Sequence, residues 1–204
     1  MIRLENVTKS YGGNKILDRV SCEFEPGKIY AVTGASGIGK TTLLRVMASF
    51  EKFSGKVTGL DNMRKSFLFP EDRLIETLTA EENIRFVKPD FDDAEQWFDD
   101  FGLSGAQKLR PAEMSTGMKR RLSLMRALVY GGDIFFLDEP TNGLDGDTAA
   151  RIRPMIKKCL DGKTAFIVTH SPDDINSLAD YIVTLTGVPV NRIECIECNK
   201  QGTH

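Results

Sequence analysis

The sequence predicts an α/β fold on a parallel sheet, and three observations support this. The apolar run KIYAVTG leads into a glycine loop, GASGIGKTT, and then into KTTLLRVMASF, where Leu43, Leu44, Met47 and Phe50 keep helical spacing. Two more short apolar runs, IFFL and TAFIVT, are each followed by titratable residues, Asp138-Glu139 and His170. Helical stretches separate the runs, the order of a sheet whose parallel strands are joined by crossover helices.

Taken in order, IRLENVTKSY alternates and reads as an edge strand, and ILDRVSCEFEPG as a second strand ended by Pro26-Gly27. KIYAVTG is the next strand and KTTLLRVMASF the first helix. SGKVTGLD and KSFLF are further short strands. From about Leu74 to Arg110 the chain turns helical and acidic. TAEENIRFV opens with a capping box, Thr79 with Glu82, and DDAEQWFDDFG offers Trp97 and Phe98 to a local core. STGMKRRLSLMRALVYGG reads as a helix with Leu122, Met125 and Leu128 on one stripe, ended by glycines. IFFL, TAFIVT and YIVTL suit buried parallel strands, with DGDTAARIRPMIKKCL and SPDDINSLA as the helices between them. The tail VPVNRIECIECNKQGTH has no clear pattern.

A chain of 204 residues with 41% hydrophobic residues can bury one sizeable core. A net charge of -2 leaves no basic footprint, so nucleic acid is not the expected partner. The run Lys119-Arg120-Arg121 reads as a solvated helix face rather than a polyanion site. No apolar run is long enough to span a bilayer, and MIRLENVTKSYGG has no signal-peptide core. The expected location is therefore the cytosol, with any membrane attachment made through a partner. Cys22, Cys159, Cys195 and Cys198 are too few for a disulfide scaffold. The lone CIEC, with His204 as the nearby histidine, falls short of a zinc site.

The glycine loop Gly34 to Thr42 fits G-x-x-x-x-G-K-[ST]. Gly34, Gly37 and Gly39 let the backbone turn tightly and aim its N–H groups inward, and the following helix adds its positive end. Lys40 then reaches the β- and γ-phosphates, and the Thr41 hydroxyl faces Mg²⁺. In DIFFLDEPTNGLD, Asp138 and Glu139 emerge at a strand's carboxyl end, where open α/β sheets gather ligands. Asp138 is placed to hold Mg²⁺, and Glu139 to polarise a water against the γ-phosphate. His170 repeats the arrangement. It is either a structural histidine at a strand end or a γ-phosphate sensor at the same edge, and the sensor is favoured because the other histidine, His204, is the last residue of the sequence.

GASGIGKTT, EMSTGMKRRLSLMRAL, IFFLDEPTNGLD and VTH, in this order, resemble the nucleotide-binding subunits of ATP-binding cassette (ABC) transporters, over Ile2 to about Val190. The resemblance implies one ATPase domain with a phosphate-loop NTPase (RecA-like) core. It also implies an N-terminal antiparallel β-subdomain and an α-helical subdomain inserted over residues 74–130. ATP with Mg²⁺ is the implied ligand, held by Gly34, Ala35, Ser36, Gly37, Ile38, Gly39, Lys40, Thr41 and Thr42. Tyr11 matches the aromatic that stacks on adenine, with an ordinary strand tyrosine as the alternative. Ser115, Thr116, Gly117 and Met118 match the signature usually written LSGGQ, which faces the ATP of a second subunit. Ser115 also reads as a helix N-cap. Asn142 and Asp145 fall in the loop that crosses the dimer interface. The implied assembly is a head-to-tail pair of ATPase subunits, identical or different, on the cytoplasmic face of an integral membrane permease.

Two departures stand out. Thr116 replaces the first signature glycine and adds a side chain where phosphate should lie. Pro70, in FLFPEDRL, replaces a glutamine that touches Mg²⁺ and the attacking water. Proline has no side-chain oxygen and no N–H, so Glu71 is the substitute metal ligand. The stretch PEDRLIETLTAEENI and Met118 are similar to the ATPases of nitrate-, sulfonate- and taurine-type importers, although exporters also use S-x-G-M signatures. Three other readings fit less well. A soluble ABC ATPase needs a second cassette or a long coiled coil. A subunit without catalysis would not need Lys40, Asp138, Glu139 and His170. A phosphate-loop kinase has no use for the signature helix.

Overall fold

The computed structural model describes residues 1–198. In chain order the elements are β1 Ile2–Tyr11, β2 Asn14–Phe24, β3 Ile29–Thr33, α1 Lys40–Met47, β4 Ser54–Thr58 and β5 Lys65–Leu68. They continue with α2 Ala80–Arg85, α3 Ala94–Asp100, α4 Thr116–Tyr130, β6 Ile134–Asp138, α5 Gly146–Cys159, β7 Thr164–Val168, α6 Pro172–Leu178, β8 Tyr181–Thr186 and β9 Arg192–Glu197.

Two sheets result. The larger has six strands in the order β5-β6-β7-β3-β8-β9, and the smaller has three in the order β2-β1-β4. Within the larger sheet β5, β6, β7, β3 and β8 run parallel, and β9 is antiparallel to β8. The smaller sheet is antiparallel. The fold is therefore the α/β fold on a parallel sheet that the sequence predicts, with an antiparallel β-subdomain.

Strand alternation divides the core into two layers. Phe135, Leu137, Ala165 and Ile167 face a layer shared with α2, α3, α4, α5 and α6. Ile134, Phe136, Phe166 and Val168 face the opposite layer, shared with α1, β1 and β2. Because both faces are covered, β6 and β7 are buried at every position. Phe24, Tyr30, Phe166 and Phe136 join ring to ring across the second layer, at centroid separations of 4.9–5.8 Å. Each such ring contributes about 1.5–3 kcal/mol by burial, which fixes the strands that carry the site.

Three expectations need correction. β1 is the centre of the smaller sheet, not an edge, because β4 pairs with its free side. Alternation reports one wet face and cannot tell a central from an edge strand. α1 ends at Met47, and Ser49 takes φ +66°, so Phe50 leaves the helical stripe. It is 52% exposed and packs against Phe67 and Phe69 instead. β8 is only partly buried, alternating between buried Val183 and Leu185 and half-buried neighbours. Its cover is β9, formed by the tail that carried no pattern, whose side chains stay largely exposed.

Candidate nucleotide site

The register of the parallel strands brings the predicted residues together. Leu137 pairs with Ile167 and Asp138 with Val168, while Val32 pairs with Val168 from the other side. The carboxyl ends of β3, β6 and β7 thus form one edge, and the glycine loop, Asp138-Glu139 and His170 all leave from it.

The loop has the geometry its glycines allow. Gly34, Gly37 and Gly39 take φ of 142°, 71° and 120°. A Cβ at Gly39 would lie 2.6 Å from the Ile16 side chain, and one at Gly34 would lie 3.0 Å from the Leu185 carbonyl oxygen. Gly39 caps α1, and Ala35, Ser36 and Gly37 are exposed at the loop's crest. Ile38 donates its N–H to the Ala35 carbonyl at 3.3 Å, and Thr42 follows on the first turn of α1. Lys40 is buried and curls back on the loop, donating to the carbonyl oxygens of Gly34 at 2.9 Å and Ala35 at 3.0 Å. Burial pulls its pKa down, while Glu139 and Asp138 hold it up.

Thr41 donates its hydroxyl to Asp138 Oδ2 at 2.6 Å. Asp138 is buried, and burial raises its pKa against the opposing pull of Thr41, Arg120, Arg45 and Lys40. This hydroxyl-plus-carboxylate pair, with oxygen donors only, fits a hard divalent cation such as Mg²⁺ whose other ligands are phosphate and water. Glu71 is instead paired with Arg45 at 3.6 Å and Arg73 at 3.4 Å on the exposed rim.

Glu139 has a backbone that side chains rarely adopt, with φ +50°. Such a residue costs about 1–2 kcal/mol and persists only where its surroundings overdetermine it. Its N–H donates to the Val168 carbonyl at 2.8 Å, and its own carbonyl accepts from Asn142 N–H at 3.3 Å and from Arg120 Nη2 at 2.7 Å. Burial raises the Glu139 pKa, and His170 lowers it, the His170 Nε2 standing 3.6 Å from Glu139 Oε1.

The remaining predicted residues lie on neighbouring elements. Ser115 is the N-cap of α4, its hydroxyl accepting from Met118 N–H at 3.2 Å. Ser115 and Thr116 are exposed, whereas Met118 packs against the first core layer. Gly117 lies beside Arg121 and the Gly143 carbonyl. Asp145 caps α5 by accepting from the Thr148 N–H and hydroxyl, which hold its carboxyl below the usual range. Tyr11 is 40% exposed at the end of β1, with Lys9 Nζ 4.4 Å above its ring. A cleft of about 270 Å³ lies between Pro70, Thr116, Arg120, Glu139 and Asn142. Cys195 is exposed on β9 and Cys198 follows it, while His204 falls outside the described residues.

Sequence reasoning missed two groups. The first is Arg120, read as part of a solvated face. It is 6% exposed and turns inward, because polar partners wait beneath the helix. It donates to the carbonyl oxygens of Phe69, Pro70, Asp138 and Glu139. The second is Asp174, 1% exposed, which accepts from Thr141 at 2.6 Å, Thr169 at 3.0 Å and Arg153 Nε at 2.7 Å. It ties the loop after Glu139, the residue before His170 and helix α5 into one unit. Neither residue type announces burial in a sequence.

Comparisons with known proteins agree with this geometry. The family pattern "ABC transporter" matches residues 17–142. An aliphatic sulfonates import ATP-binding protein, SsuB 2 of Mesorhizobium japonicum, is 33% identical over 194 residues, covering 91% of this chain and 77% of that protein. The macrolide export ATP-binding/permease protein MacB of Campylobacter jejuni is 32% identical over 197 residues, but the chain spans only 31% of its length. A solved dimeric ATP-binding cassette in a post-hydrolysis state, bound to ADP and Pi, superposes with a TM-score of 0.82 at 28% identity, covering 95% of this chain and 98% of that one. Cassettes of this kind bind ATP with Mg²⁺, dimerise and pair with membrane permeases. This chain belongs to the ABC transporter family, as an ATP-binding and ATP-hydrolysing subunit.

Proposed function

We propose that the chain drives a small-molecule importer, hydrolysing ATP at the edge formed by β3, β6 and β7. The observation that carries the catalytic reading is the convergence of Lys40, Thr41, Asp138, Glu139 and His170 at that edge. The glycine-loop N–H groups from Gly34 to Thr42 and Lys40 bind the phosphates, and Tyr11 stacks on the adenine. Thr41 and Asp138 hold Mg²⁺, with Glu71 free to reach it if its arginine partners release it. When bound, the metal neutralises charge on the β- and γ-phosphates. Glu139 orients water and takes its proton as the water attacks the γ-phosphorus in line, giving ADP and phosphate. His170 contacts the γ-phosphate and opposes the rise that burial imposes on the Glu139 pKa.

The pair is head to tail. Ser115, Thr116, Gly117 and Met118 of one subunit close over the ATP of the other, and Asn142 and Asp145 line the interface. Thr116 narrows that closure. The permease docks on the groove of about 430 Å³ beside Phe67, Phe69, Phe86, Arg126 and Tyr130, where Phe86 is 69% exposed. The subunit then sits on the cytoplasmic face of the membrane through its partner, since no helix among the described residues is long and apolar enough to cross it. An organic anion such as an aliphatic sulfonate is the proposed cargo class, from the importer relatives, each covered over at least three quarters of its length. The test is uptake by vesicles carrying the subunit and its co-isolated permease. ATP-dependent accumulation of a sulfonate supports the reading; ATP-dependent extrusion, as the MacB relative's name describes for macrolides, overturns it.

A further inference from the structure

Arg120 sits one turn into α4 and grips three things at once. Nη1 donates to the carbonyl oxygens of Phe69 at 2.7 Å and Pro70 at 3.3 Å, in the loop after β5. Nη2 donates to the carbonyl oxygens of Asp138 and, at 2.7 Å, Glu139, at the end of β6. The third partner is Asp72, whose carboxylate lies 3.7 Å from Nη1. Burying a guanidinium is unfavourable unless its donors are met, and here charge-assisted bonds meet them. A helix that only needed packing at this position would carry an apolar residue. The charge therefore serves the carbonyls.

Those carbonyls matter because of where they are. Glu139 holds φ +50°, with its N–H fixed on Val168 and its carbonyl on Arg120 and Asn142. Backbone angles set the direction of Cβ, so a grip on both peptide groups aims the carboxylate. Pro70 has no side-chain donor or acceptor, but it keeps its carbonyl, and the carbonyl is what Arg120 uses.

We propose that Arg120 is a positioning residue for hydrolysis, holding Glu139 in its left-handed geometry and joining it to the Pro70 loop and to the helix that begins at the signature. The proposal rests on Glu139 being the base. It makes the connection between loop and catalytic strand a matter of backbone carbonyls and one guanidinium, independent of the side chain at position 70.

The test compares Arg120→Gln, Arg120→Lys and Glu139→Gln in the full chain, measuring kcat, ATP affinity and the fraction of folded protein. Turnover is expressed per folded molecule. Arg120→Gln is expected to lower kcat by about 10- to 100-fold, with ATP affinity within about threefold of the parent, because misplacement of a reacting group acts on the chemical step. Arg120→Lys is expected to recover part of the loss, since an ammonium reaches some carbonyls but lacks the planar fork that spans them. A parental kcat in Arg120→Gln overturns the proposal. So does a loss of kcat matched by an equal loss of affinity, the mark of a general structural defect. If Arg120→Gln does not fold, Arg120→Lys decides alone: a lowered kcat at unchanged affinity supports the proposal, and an unchanged kcat overturns it. Glu139→Gln separates the two ideas. Full turnover there removes the base reading itself, whereas abolished turnover there beside normal turnover in both Arg120 variants removes only the role of Arg120.

Discussion

Thr41 on α1 donates its hydroxyl to Asp138 at the end of β6 across 2.6 Å, joining the phosphate loop to the acidic strand end. Asp138 is nonetheless uncomfortable as a carboxylate, because burial raises its pKa more than its partners lower it. A folded-state pKa above the unfolded value gives stability that is present below the unfolded pKa and lost as pH rises through the folded one. Asp138 therefore favours the folded, nucleotide-free protein less at neutral pH than in acid. Asp138→Asn should raise the melting temperature more at pH 7 than in acid, because the amide cannot take the charge that burial disfavours. The same variant should lose Mg²⁺-dependent turnover. Melting curves across pH, beside an ATPase assay, check both halves. A drop in melting temperature at pH 7 would contradict this account.

Glu139 makes a second prediction about pH. The proposed base must be ionised to act, and burial raises the Glu139 pKa while His170 opposes the rise. The acid limb of single-turnover hydrolysis should therefore have its midpoint above the ordinary glutamate value of about 4.3. A limb at or below that value would mean that another group controls the acid side.

Asp174 makes a third. It accepts hydrogen bonds from Thr141, Thr169 and Arg153 in a buried network, and it sits between the loop carrying Asn142 and the strand end carrying His170. Asp174→Ala should cost about 1–3 kcal/mol, because Thr141 and Thr169 lose their buried acceptor and Arg153 is left with only the exposed Asp173 at 3.6 Å. Asp174→Asn keeps part of the network and should cost less. Denaturant midpoints of the two variants test the ordering, and equal costs would show that the network is not charge-assisted.

Much of this molecule was legible in its sequence, for physical reasons that particular residues illustrate. IFFL and TAFIVT could be read as buried strands because both faces of β6 and β7 are covered, so no polar residue interrupts them. Thr79 with Glu82 and Ser115 were readable as caps because capping is local. The glycine loop could be placed because a tight left-handed path excludes nearly every other residue. Properties that depend on distant partners were hidden. β1 alternates whether or not β4 covers it, and β9 has no interior pattern because its side chains are largely exposed. Arg120 looks in the sequence like Lys119 and Arg121, which stay half-buried, until the Phe69-Pro70 loop and the Asp138-Glu139 peptide arrive beneath it from elsewhere in the chain.

The central claim is that this cassette closes around ATP with its own signature residues and then cleaves it, with Glu139 as the base. Its most direct test is the solution mass of Glu139→Gln with ATP and Mg²⁺, by light scattering. The substitution removes the base but replaces the carboxylate with a carboxamide of nearly the same shape, so a closed pair should persist. The account predicts a nucleotide-dependent dimer, meaning that Ser115 and Gly117 reach the partner's ATP despite Thr116. A variant that binds ATP yet stays monomeric would contradict self-pairing, and would turn attention to Thr116 and to a different ATPase subunit as the true partner.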